Sequence, residues 1–195
     1  MNRGHWHGDV LIYTFTKSAS SSSFSPSLSK FTSFNGRLLN ELKSELIKLT
    51  KIRHENVMLF VGACLEKNHL AVITSMQTGK SVYECLHVKQ QSFSFPSKLN
   101  ILRQVAQAMG YLHARGIVHK KISSNNIIIE NKVKICLMDQ GVRSFAYHSN
   151  NYVLLPKGHL TYLSPQLIRS LYVDNPPNYY IKQQYTKESD VYAFG

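Results

Sequence analysis

The sequence predicts a two-lobed α+β fold, with a small β-rich part over residues 1–78 and a helical part over 79–195. Two observations predict it. Apolar, β-branched runs of strand length dominate the first part, and apolar residues at helical spacing dominate the second. The two regimes meet near Gln77 to Lys80, where Gly79 offers a break. A chain of 195 residues is long enough for a sizeable core, because about 70% of the surface is already buried in a chain of roughly 150 residues.

The elements follow in chain order. Residues 6–15, WHGDVLIYTF, read as a strand entered from a turn. Nine of the 16 residues from Ser18 to Ser33 are Ser, with Pro26 among them. Residues 17–34 are therefore expected to be a mobile insert, too polar to order alone. After Asn35-Gly36, Leu39, Leu42, Leu46 and Leu49 form the stripe of an amphipathic helix, with Glu45 beside it. Two apolar strands are expected over residues 56–65 and 69–76, joined by a polar turn at Glu66 to Asn68. Beyond Gly79 the stretch SVYECLHV is helical, and a longer helix starts at about Ser97. Its core face is read as Leu99, Leu102, Ala106, Met109 and Leu112, with Gly116 as the stop. NNIIIE and VKICLMD, either side of Asn131, form a hairpin.

Lys and Arg number 23 against 11 Asp and Glu, a net charge of +12. The basic residues are scattered with no run longer than HKK, so they read as a solvated surface rather than a nucleic-acid site. Cys64, Cys85 and Cys136 are odd in number and set among apolar residues, which points to free thiols and a cytoplasmic location. No apolar run reaches membrane-spanning length and the N-terminus carries no signal-like segment. His5 and His7 would share one face of a strand, yet two ligands make a poor metal site and plain strand residues are the simpler reading.

The order of strand, helix, two strands, long helix, His-containing loop, hairpin and a terminal Asp139-x-Gly resembles a protein kinase. More narrowly, RGHWHGDV, IRHENVMLFVGAC, HLAVITS, AMGYLHARGIVHK and DVYAFG resemble the kinase suppressor of Ras family, a Raf-related group of pseudokinases. The resemblance implies a bilobal kinase-like fold, lacking the first strand and Gly-rich loop and truncated within the helix around Asp190 and Phe194. A Gln at 166 stands where kinases carry a Glu.

Matched to the kinase pattern, the chemistry fails at several residues together. Lys121 takes the place of the Asp that accepts the substrate hydroxyl's proton, and a protonated ammonium has no lone pair to accept with. Ser123 replaces the Lys that meets the transferring phosphate, and Tyr13 replaces the strand Lys that pairs with the α and β phosphates. The resemblance marks Leu11, Thr74, Met76 and Glu45 as a degenerate nucleotide cleft, in which Leu11 is bulkier than the usual Ala. Asn126 and Asp139 match the two magnesium ligands, giving a weak or absent ATP and Mg²⁺ site. Ordinary roles remain open: a surface glutamate for Glu45, loop-ordering hydrogen bonds for Asn126, a turn for Asp139.

Arg53 matches the arginine through which Raf and its suppressor relatives pack side to side, and a helix-end arginine complementing the dipole is the other reading. The resemblance thus implies a catalytically impaired scaffold in Ras, Raf, MEK and MAP kinase signalling, with a Raf-family kinase as partner and MEK as a second. It would be cytoplasmic, with peripheral recruitment to membrane. An active Ser/Thr kinase with atypical chemistry and a non-functional truncated product are the alternatives.

Overall fold

The structure, a computed structural model, describes residues 2–15, 43–44, 46–66, 69–137, 153–155, 158–173, 179–181 and 184–195. It divides into two compact units, residues 1–53 with 59–77, and residues 54–58 with 78–195.

The first unit is a four-stranded antiparallel sheet in the order β1-β2-β4-β3, with β1 Asn2–His5, β2 Asp9–Phe15, β3 Phe60–Glu66 and β4 His69–Ser75. The run read as one strand from residue 6 is two strands with a turn inside it. His7 at φ 49° and Gly8 at φ 135° reverse the chain there, which is why the polar WHG stretch cannot pair and why His5 and His7 share no strand face. Trp6 is left exposed at the tip with its ring edge-on to His7, centroids 5.3 Å apart. β2 and β4 run in register from Val10 opposite Ser75 to Phe15 opposite Leu70. Val10, Leu11, Phe60 and Val72 are buried, as are Leu46 and Ile52, which flank the helical turn at 46–50. Leu39, Leu42 and Glu45 of the expected helix lie outside the described residues.

The expected strand 56–65 begins only at Phe60. Val57 and Met58 are buried without strand pairing in the first sheet, because residues 54–58 belong to the second unit. There Val57 forms a parallel bridge to Ile135, and Met58 N–H donates to Ile135 O at 2.9 Å. Asn56 explains the departure. Its Nδ2 donates to Gln104 Oε1 and to Val133 O, both at 2.8 Å, and Val133 N–H donates to the same Gln104 oxygen at 2.9 Å. A buried amide nitrogen held by two acceptors in this way outweighs the β-propensity of its neighbours.

The second unit is built on α1, Phe95–Ala114. Ser94 caps it by accepting from Ser97 N–H, Pro96 suits the first turn, and Gly116 at φ 70° follows its end. Its buried face is Val105, Ala108, Met109 and Leu112. Leu99 and Leu102 are 57% and 49% exposed, so the core face assigned from sequence was turned by part of a helical turn. The hairpin β6 Ile127–Ile129 and β7 Val133–Ile135 forms as expected, and β5 Lys80–Ser81 joins its edge. Gly79 precedes that edge strand because a Cβ there would lie 2.3 Å from Ile129 O. SVYECLHV is helical but ends in a π turn, Glu84–Val88. A third sheet, β8 Val153–Leu154, β9 Leu171–Val173 and β10 Tyr179–Ile181, has the order β8-β10-β9. Beneath it Leu155, Leu163, Leu167 and Ile181 pack together, two of them supplied by or beside the short helix α2, Pro165–Arg169. α3, Lys187–Phe194, starts in a capping box between Thr186 and Ser189.

Candidate functional site

The loop 119–126 of the second unit is shaped by a carboxylate that lies far along the chain. Asp190, on α3, is 1% exposed. Its Oδ2 accepts from His119 N–H at 2.6 Å and from His113 Nε2 at 2.9 Å, while Oδ1 accepts from Lys120 N–H at 2.7 Å. Those bonds hold Lys120 at φ 70°, a conformation that a lysine rarely adopts unaided. Burial raises the Asp190 carboxyl, and its bonds to His113 and the two loop N–H groups act the other way. Burial likewise pushes the nearby Tyr185 phenol up to about 12, with Asp190 adding to the shift. DVYAFG was legible as a motif, yet nothing in its spacing said that Asp190 would grip the loop.

His119 is fully buried, and burial drives its imidazole down to about 3, with Lys121, His159 and His113 adding to the effect. The neutral ring has a defined tautomer: Nε2–H faces Cys136 O at 3.1 Å and Nδ1 accepts from Lys121 N–H at 3.3 Å. Asn126 closes the loop by donating Nδ2 to Lys121 O at 2.9 Å. Ser123 is buried and its Oγ has no hydrogen-bond partner. Ser124 Oγ meets Tyr162 OH at 3.1 Å, tying the loop to the 3₁₀ turn Leu160–Tyr162.

Lys121, Ser123 and Asn126 thus come together in one loop. Asp139 lies outside the described residues, as does Glu45. In the first unit Leu11 and Thr74 are register partners across β2 and β4, and both are buried. Tyr13 lies two residues along the same strand, opposite Val72. Met76 N–H donates to Asp9 O at 3.0 Å. Arg53 directs Nη1 to Thr50 O at 3.1 Å, the last carbonyl of the 46–50 turn, and to Ile52 O at 2.7 Å just beyond it. A guanidinium there complements the negative end of a helical turn. Sequence reasoning missed the use of the HENV stretch: His54 Nδ1 accepts from Asn56 N–H, and the His54 ring lies 4.7 Å from that of Tyr111, whose face Arg115 covers.

A family model described as protein tyrosine and serine/threonine kinase matches residues 29–195. The chain belongs to the protein kinase family. It is similar to "Kinase suppressor of Ras 2" of Mus musculus and of Homo sapiens, 32% identical to each across 98% of this chain and 19% of the relative. It is also similar to the "RAF proto-oncogene serine/threonine-protein kinase" of Xenopus laevis, 31% identical across 99% of this chain and 27% of that protein. The chain therefore spans about a fifth to a quarter of the length of these relatives.

Kinase domains generally use ATP and Mg²⁺. The phenol of Tyr13 offers no cation to a phosphate, and Ser123 offers only a buried hydroxyl. Asn126 donates through Nδ2 to the Lys121 carbonyl, so the atom of this side chain that could ligate a cation is Oδ1. Among the described residues no group of three or more His, Cys, Asp or Glu side chains could hold a metal ion. No described helix is long and apolar enough to cross a membrane.

Proposed function

We propose that this chain is a catalytically impaired, kinase-like scaffold and allosteric regulator of Ras, Raf, MEK and MAP kinase signalling. One observation carries the reading. Lys121 stands where the proton acceptor would act, and the described carboxylate that touches the loop, Asp190, is committed to backbone N–H groups and His113. Phosphoryl transfer rests on positioning and charge neutralisation, so the changes at Lys121, Ser123 and Tyr13 together remove the base and two phosphate-binding cations. Binding of ATP and Mg²⁺ through Leu11, Thr74, Met76, Asn126 and Asp139 is weak or absent on this reading.

The likeness to kinase suppressor of Ras and Raf proteins supports a Raf-family kinase as the partner, through Arg53, with MEK as a second partner. The place of action is the cytoplasm, with peripheral recruitment to membrane. Two measurements test it. Phosphotransfer to a generic substrate should be at background; transfer that disappears on substituting Asp139 would overturn the impaired reading. Co-purification of a Raf-family kinase should fall when Arg53 is changed to His; equal recovery would remove Arg53 from the interface.

A further inference from the structure

The loop that lost its base has gained features of an anion receptor, and this inference rests on the impaired reading above. We propose that Lys121, Ser123 and Ser124 of the loop, with His159 and Tyr162 of the adjoining turn, form a receptor for a phosphate monoester dianion.

Three independent observations converge on it. A cation occupies the loop position from which a kinase contacts its substrate hydroxyl, so an already phosphorylated group meets attraction there instead of a base. His159 adds a ring nitrogen beside that pair of elements, its ring 5.9 Å from that of Tyr162. The hydroxyls supply neutral donors. Ser124 Oγ and Tyr162 OH are joined at 3.1 Å, across the two elements. Ser123 is 2% exposed and its buried Oγ has no hydrogen-bond partner, a condition that costs stability unless a ligand relieves it. A phosphate monoester carries about −1.5 to −2 charge and three acceptor oxygens, matching one lysine cation and several neutral donors better than a carboxylate with two oxygens. Asp190 does not compete for that space, since both its oxygens face the loop backbone and His113.

A phosphorylated serine or threonine of a partner and free phosphate are the two sources of this group. The test titrates a phosphoserine peptide, its unphosphorylated twin and inorganic phosphate into the full chain at fixed salt, read by calorimetry. The phosphopeptide should bind at least about tenfold tighter than its twin, the difference expected of charge-assisted contacts. Phosphopeptide binding that excess inorganic phosphate only weakly displaces identifies the partner side chain as the source; equal binding by inorganic phosphate identifies the free ion. Lys121→Glu should erase the difference and Lys121→Arg should keep it, with thermal melts showing that both variants fold. Ser123→Ala should weaken phosphate binding while raising the melting temperature of the ligand-free chain, which a purely structural serine would not do. Equal binding of the two peptides without phosphate binding, or a difference that survives Lys121→Glu, overturns the proposal. Phosphotransfer is assayed on the same preparation: transfer by the wild type fails the impaired reading, whereas silence without peptide discrimination fails the receptor alone.

Discussion

Asp190 is one residue on which the loop depends. It supplies the acceptors for the N–H groups of His119 and Lys120 and for His113 Nε2, so Asp190→Ala strands two backbone donors and releases the left-handed Lys120. Loss of roughly 3 kcal/mol or more is expected from a buried, charge-assisted set of this kind, checked by urea unfolding. A loss below about 1 kcal/mol would mean that water or a neighbour replaces the carboxylate. His119 sets a pH dependence. The unfolded chain takes up this proton near 6.5 and the folded ring only near 3, so between those values the unfolded state holds the extra proton. Stability therefore rises with pH across that window, by about 1.4 kcal/mol per unit from this group, and is lost as pH falls from 6.5 toward 3. Asp190, whose carboxyl is raised by burial, works in the opposite sense above its ordinary 3.8. Urea midpoints between pH 4 and 7 should climb in the wild type and flatten in His119→Gln; parallel slopes would remove His119 as the cause.

At the scale of elements, α1 was legible in existence, cap and stop, but its buried face was not. Residues 95–114 carry apolar side chains on two stripes: Val105, Ala108, Met109 and Leu112 are buried, while Phe95, Leu99 and Leu102 are exposed. Periodicity finds a helix from either stripe, and only the neighbours choose between them. Leu99→Gln should consequently shift stability by no more than about 0.5 kcal/mol, whereas Leu112→Ala should cost about 2 to 5 kcal/mol. Comparable losses for the two would restore Leu99 to the core. The hairpin around Asn131 and the strands β2 and β4 were readable because one face of each alternates or is wholly apolar. The start of β3 was not, because the amide of Asn56 draws residues 54–58 into the other unit and no local pattern announces a partner 77 positions away. In the candidate site, the kinase resemblance singled out Lys121, Ser123 and Tyr13, while the grip of Asp190 was hidden for the same reason of distance.

On the proposed reading, the changes at Lys121, Ser123 and Tyr13 act as a single handicap. Lys121 and Ser123 lie in one unit and Tyr13 in the other, so no local repair restores the set. The single revertant Lys121→Asp should still show phosphotransfer at background, because it returns the acceptor and neither phosphate-binding lysine. Transfer by that revertant would place nearly all of the deficit on the base. The net charge of +12 has no single focus in the sequence, so a general preference for anionic surfaces should fade as salt is raised, while a localised receptor should persist longer.

The grip of Asp190 also bears on the order in which the polypeptide takes shape. The carboxylate that fixes the backbone of His119 and Lys120 lies 71 and 70 positions further along. During synthesis the hairpin β6 and β7 can close soon after it emerges, because its partners are neighbours in the chain. The preceding turn must wait until α3 has been made and has docked, so it matures after the hairpin that follows it.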